Sequence, residues 1–184
     1  MKRYFFPVIQ MAVVAGSVLA GSADVAGFRD VATKARTEYV AAKVKLQADL
    51  ADLITRMEPA FEPIATAERD FQLALIQQRT AQFNFLLDHD PNQILLTNGL
   101  SKFANFDWTA DNGKALERAD PDYAAFTQRI VALKQKNGNQ SDWLKFRAWF
   151  RDTLSKNKEY ETIMNDFMAK QKDVEIVLKR ATSK

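Results

Sequence analysis

Residues 141–181 read SDWLKFRAWFRDTLSKNKEYETIMNDFMAKQKDVEIVLKRA. A seam runs through them at alternating steps of three and four: Trp143, Phe146, Phe150, Thr153, Asn157, Tyr160, Met164, Phe167, Gln171, Val174, Leu178 and Ala181. That spacing follows the helical period of 3.6, not the strand period of 2, and neither Gly nor Pro interrupts it. The stretch predicts one long helix with Ser141 as its N-cap, packed nearly parallel to a neighbouring helix. The polar seam positions Thr153, Asn157 and Gln171 are expected to set register or oligomeric state at some cost in stability.

Residues 24–58 repeat the same signal. Val25, Phe28, Ala32, Ala35, Tyr39, Ala42 and Leu46 form the stripe, which then shifts phase through Leu50, Leu53 and Met57, a four-residue stutter in a heptad pattern. Pro59 and Pro63 end that helix, because each ring removes a backbone donor and disfavours helix in the residue before it. A second helix is predicted from Ile64 to Leu87, with Ile64, Ala67, Phe71, Leu75, Phe83 and Leu86 buried. A short helix over Gln93–Phe106, interrupted at Asn98-Gly99, and a polar connection from Asp107 to Asp120 follow. Asp120-Pro121 starts the next helix, a capping carboxylate before a first-turn proline, and Asn137-Gly138-Asn139 stops it. The fold class is therefore all-α: an antiparallel up-and-down bundle of four main helices, two of them long, with one or two short extra helices. No fixed-period repeat or low-complexity tract divides residues 24–184, which read as a single domain.

The N-terminus supplies an address. Lys2 and Arg3 precede an uncharged run from Tyr4 to Ala23 that closes on small residues, the layout of a secretory signal peptide. Cleavage after Ala20 or Ala23 would release a periplasmic or secreted protein. Left uncleaved, residues 1–23 would form an N-terminal membrane anchor. Both outcomes place the remainder outside the cytoplasm.

Composition removes most familiar chemistry. With 47% hydrophobic and 27% charged residues the balance is globular. Cys is absent, which excludes disulfides, thiolate catalysis and cysteine-ligated metals, and His89 is the single histidine, too few for multi-histidine metal sites or a di-iron bundle. Without Lys2 and Arg3, 24 basic residues face 23 acidic ones, so the phosphate-neutralising excess of a nucleic-acid binder is missing. The charge is segregated, however: residues 24–128 carry 11 basic against 16 acidic side chains and residues 129–184 carry 13 against 7. A basic C-terminal helix packed on acidic earlier ones is the simplest reading.

Candidate chemistry is sparse. Asp88-His89-Asp90-Pro91-Asn92 begins like an oxygen-ligand calcium loop, but Gln93 stands at the glycine position and Gly99 at the bidentate glutamate. In Asp107–Gly113 the glycine falls one place late and Arg118 holds the twelfth position. Both are expected to be structural loops, although the sequence leaves metal binding there open. Glu58, Glu62, Glu68 and Asp70 are expected to be solvated charges around the proline turn. No cofactor is expected.

The strongest interaction signal is the basic, aromatic stretch Trp143–Lys158. Trp143, Phe146 and Phe150 belong to the seam, whereas Trp149 falls off it. Lys145, Arg147, Trp149 and Arg151 are therefore the candidate partner or membrane interface. Over residues 46–79 the chain also resembles the LemA family, bacterial single-anchor helical bundles, in Asp52-Leu53-Ile54, Met57, Ala65, Glu68, Arg69, Ala74 and Arg79. The family's basic pair before this motif, its Pro-Asn after it and its histidine before the glutamate are absent, and the resemblance implies no catalytic residues. The expected function is that of a non-enzymatic exported interaction protein, an accessory or scaffold subunit of a bacterial cell-envelope complex. Its expected partners are an envelope protein, a peripheral membrane contact or a second copy of itself, and not nucleic acid. The alternative is a membrane-anchored sensor-like or small-molecule-binding helical bundle.

Overall fold

The computed structural model describes residues 25–94, 103–136 and 140–182. The expected signal segment 1–23, most of the short helix expected over Gln93–Phe106 and the Asn137-Gly138-Asn139 stop lie outside those residues. The protein is all-α: six helices and no strand occur among the described residues, and none of these helices is long and apolar enough to cross a membrane. They are α1 (Val25–Met57), α2 (Glu62–His89), α3 (Ala110–Ala119), α4 (Pro121–Lys136), α5 (Gln140–Asp152) and α6 (Lys158–Thr182).

The prolines act as expected. Glu58 donates its backbone N–H to Ile54 at 2.8 Å, and its φ of −146° and ψ of 86° take it out of the helix just before Pro59. A single 3₁₀ turn, Pro59–Phe61, then reverses the chain, and Pro63 sits in the first turn of α2, where its missing donor costs nothing. An ion pair between Arg29 and Asp88 ties the start of α1 to the end of α2, so the two run antiparallel. On the other flank of α1, Arg56 near its C-terminus pairs with Glu159 at the start of α6, and Tyr39 faces Phe167 with ring centroids 6.4 Å apart. α6 therefore also runs against α1. Asp120 Oδ1 accepts from the backbone N–H of Asp122 at 2.9 Å, the expected cap of α4. α4 packs antiparallel on α2 through Gln82 Nε2 to Tyr123 Oη at 2.8 Å and Gln78 Nε2 to Thr127 Oγ1 at 3.2 Å.

The main core joins Phe28, Ala32, Tyr39, Leu50, Leu53 and Ile54 of α1 to Phe83 and Leu86 of α2 and to Phe167, Val174 and Leu178 of α6. The stutter at Leu46–Leu50 is real in that both phases are buried. A second, smaller cluster of Phe71, Ala74 and Ile130 sits between α2 and α4.

Three expectations require correction. The single helix expected over 141–181 is two: α5 ends at Asp152, a 3₁₀ turn covers Leu154–Lys156, and α6 begins at Lys158. Asn157, read as a seam position, is extended at φ −77° and ψ 134°. Its Oδ1 accepts from the backbone N–H groups of Glu159 (2.7 Å) and Tyr160 (3.2 Å), which makes it the N-cap of α6. The polar connection from Asp107 to Asp120 contains α3, capped by Thr109 Oγ1 on the Asn112 N–H at 3.1 Å. Gly113 lies inside that helix, where a Cβ would make only an ordinary 3.6 Å contact with Trp108 Nε1. Finally, Glu68 is not a solvated turn charge. It is 2% exposed, accepts from Gln72 Nε2 at 2.8 Å, and burial raises its pKa.

Candidate functional site

The basic, aromatic stretch divides cleanly between the two sides of α5. Phe146 is fully buried, and its ring meets Phe61 of the α1–α2 turn at 5.4 Å edge-on, with Trp143 and Phe150 at 5.8 and 6.2 Å. Trp149 joins this cluster: it is half-buried, 5.2 Å from Phe61 and 6.0 Å from Phe146. Arg147 is half-buried as well. Lys145 and Arg151 are exposed, each beside an acid of its own helix: Lys145 Nζ lies 3.4 Å from Asp142, and Arg151 Nε and Nη2 donate to Asp152 at 2.7 and 2.8 Å. These bonds raise the pKa of Arg151 and lower that of Asp152.

Leu144 is the residue that sequence reasoning passed over. It is 57% exposed and, at spacings of four and seven, shares a helix face with Ala148 and Arg151, both exposed, while Lys145 borders it. The signal was available, because Leu144 falls off the seam as Trp149 does.

A second surface feature is an open groove of about 720 Å³ over α1 and α2, walled by α3 and α4. Its lining is mostly apolar, with Val40, Val44, Leu73, Ile76, Leu116 and Phe126, and Asp88, His89 and Asp120 stand at its polar edge. These acids have local tasks: Asp88 pairs with Arg29 and Asp120 caps α4. His89 is exposed, stacks on Phe85 at 4.2 Å and donates from Nδ1 to the Phe85 carbonyl oxygen at 2.9 Å. Asp90 accepts from Gln93 Nε2 at 2.7 Å, and Thr109 of the second acidic loop is the α3 cap. Among the described residues no group of three or more His, Asp or Glu side chains is arranged to hold a metal ion.

The third feature lies inside. Arg36 is only 5% exposed, and its guanidinium carbon sits 4.9 Å from the Phe83 ring centroid and within 6 Å of those of Tyr39, Phe103 and Phe106. Nη1 donates to the Phe103 carbonyl at 3.3 Å, whereas Nε has no partner. Cation–π contacts contribute about 0.5–2 kcal/mol each, against a penalty of several kcal/mol for burying an ion. The four rings together contribute about 2–8 kcal/mol, the same order as that cost. Burial, then repulsion from Arg79, lowers the pKa of Arg36 to about 10 even though Tyr39 opposes the shift.

Half-buried Lys43 is pushed down to about 8, first by burial and then by Arg36 and Arg79. Below that pH it is charged in both the folded and the unfolded chain, and its burial opposes folding in full. Between about 8 and 10.5 the folded state gives up the proton first, so stability rises with pH. Lys43→Met should therefore stabilise the protein at pH 7, by up to about 3 kcal/mol before allowance for partial exposure. The stability difference between wild type and variant, followed by urea denaturation from pH 7 to 10.5, should shrink as pH rises. A difference that stays constant would mean that Lys43 does not titrate there.

Compared with known protein families, curated proteins and solved structures, the chain matches none of them, so the resemblance over residues 46–79 remains local.

Proposed function

We propose that the protein is a non-enzymatic, exported helical interaction protein, an accessory or scaffold subunit of a bacterial cell-envelope complex. In this reading α6, α1, α2 and α4 form an antiparallel up-and-down bundle with α3 and α5 as short additions. The observation that carries it is the outward face of α5, where exposed Leu144 is set beside Lys145, Ala148 and Arg151 while the aromatic side is turned into the core. An apolar contact framed by cations suits an acidic protein surface with an apolar centre, in keeping with the basic excess of residues 129–184.

A second reading, a small-molecule-binding bundle, draws on the apolar groove between α1 and α4. One experiment separates the two. A native mass spectrum of the protein isolated from its own host should show a chain lacking residues 1–20 or 1–23 and bound to another polypeptide. Leu144→Glu with Arg151→Glu should abolish that complex and leave helical circular dichroism and melting unchanged, whereas Ala81→Trp, which fills the groove, should leave it intact. A complex that survives the α5 double variant would overturn the first reading. A retained small molecule lost in Ala81→Trp would establish the second.

A further inference from the structure

We propose that the cation–aromatic stack between α1 and α2 is a binding site for a phosphate group. Arg36 and Lys43 stand seven residues apart on one face of α1, and Arg79 reaches the same stack from α2. Two rings join the three charges. The Phe106 centroid lies 5.9 Å from the Arg36 guanidinium and 5.2 Å from that of Arg79, and the Tyr39 centroid lies 5.8 Å from Arg36 and 5.2 Å from Lys43 Nζ.

What is missing among the described residues is a counter-charge. The ion pairs among the described residues engage none of the three cations. Yet Arg36 Nε is a buried donor without a partner, and aromatic faces carry no full negative charge with which to neutralise a guanidinium.

Exposure is graded across the three cations: Arg79 is exposed, Lys43 half-buried and Arg36 buried. Arg79 is held in place by Gln82 Oε1 at 3.0 Å, and Gln82 in turn donates to Tyr123 Oη at 2.8 Å. Three positive charges call for a dianion more than for a single carboxylate. A phosphate monoester supplies that charge together with several acceptor oxygens for the two guanidinium forks. Mutual repulsion of the cations, which lowers Arg36 and Lys43, would be relieved by the bound group.

The source of the phosphate is a free phosphorylated compound or a phospholipid headgroup, and two measurements on the full-length protein distinguish them. Inorganic phosphate, compared with chloride at matched ionic strength and pH 7.5, should raise the melting temperature saturably, by about 3–6 °C at tenfold over the dissociation constant. Vesicles of phosphatidylcholine with phosphatidic acid, whose headgroup is a phosphate monoester, should co-sediment the protein if the headgroup is the ligand. Lys43→Gln and Arg79→Gln, both at partly exposed positions, should each abolish whichever response wild type gives. The proposal is overturned if neither phosphate nor vesicles act, or if the response persists undiminished in both variants.

Discussion

Phe83→Ala should cost about 3–5 kcal/mol of folding stability, read as a lower urea midpoint at unchanged slope. Phe83 is fully buried at the centre of the aromatic cage, with the Phe103 ring at 5.2 Å edge-on, Phe106 at 6.1 Å and the Arg36 guanidinium at 4.9 Å. Truncation opens a cavity and strips Arg36 of its nearest ring. The two losses are coupled, so the double variant Phe83→Ala, Arg36→Met should cost less than the sum of the single variants, by about 0.5–2 kcal/mol. Strict additivity would show that the cage does not stabilise the cation.

Phe146→Ala should be nearly as damaging, about 3–5 kcal/mol, but its effect should be local in character. Its ring is the hub through which α5 meets Phe61 at the α1–α2 turn, with Trp143, Trp149 and Phe150 around it. α5 is covalently continuous with α6 only through the turn at Leu154–Lys156. Amide exchange should therefore quicken most in α5, and least in the α1–α2 hairpin. A cost below 1 kcal/mol would mean that α5 does not dock by its aromatic side, and that the Leu144 face has been assigned to the wrong surface.

How legible this was in the sequence depends on what each signal measures. α1 and the proline turn were readable because periodicity and proline chemistry act within a few residues. The break at Asn157 was hidden by coincidence: Phe150, Thr153, Asn157 and Tyr160 keep steps of three and four through it, so the seam looks unbroken. The local clue was Asn157 followed by Glu159, a capping side chain with an acid in the first turn. α3 escaped notice because it buries one large side chain, Leu116, and contains a glycine. Buried Arg36 and Glu68 were out of reach for a different reason. Apolar periodicity leaves charged residues out, and nothing local distinguishes a cation facing solvent from one facing Phe83. At the candidate interface the stretch was legible, while the division into Leu144 outside and Trp149 inside required the tertiary position of Phe61.

The separation of the apolar side chains into two clusters bears on how the molecule comes apart. α4 reaches α2 through the small group of Phe71, Ala74 and Ile130 and through two side-chain hydrogen bonds, whereas α1, α2 and α6 share the main core. Opening α4 would expose Tyr123 and Ile130 but leave the larger core whole, so it should cost less than global unfolding. Because α4 also walls the apolar groove through Phe126, an opening there would widen the groove before the main core is touched.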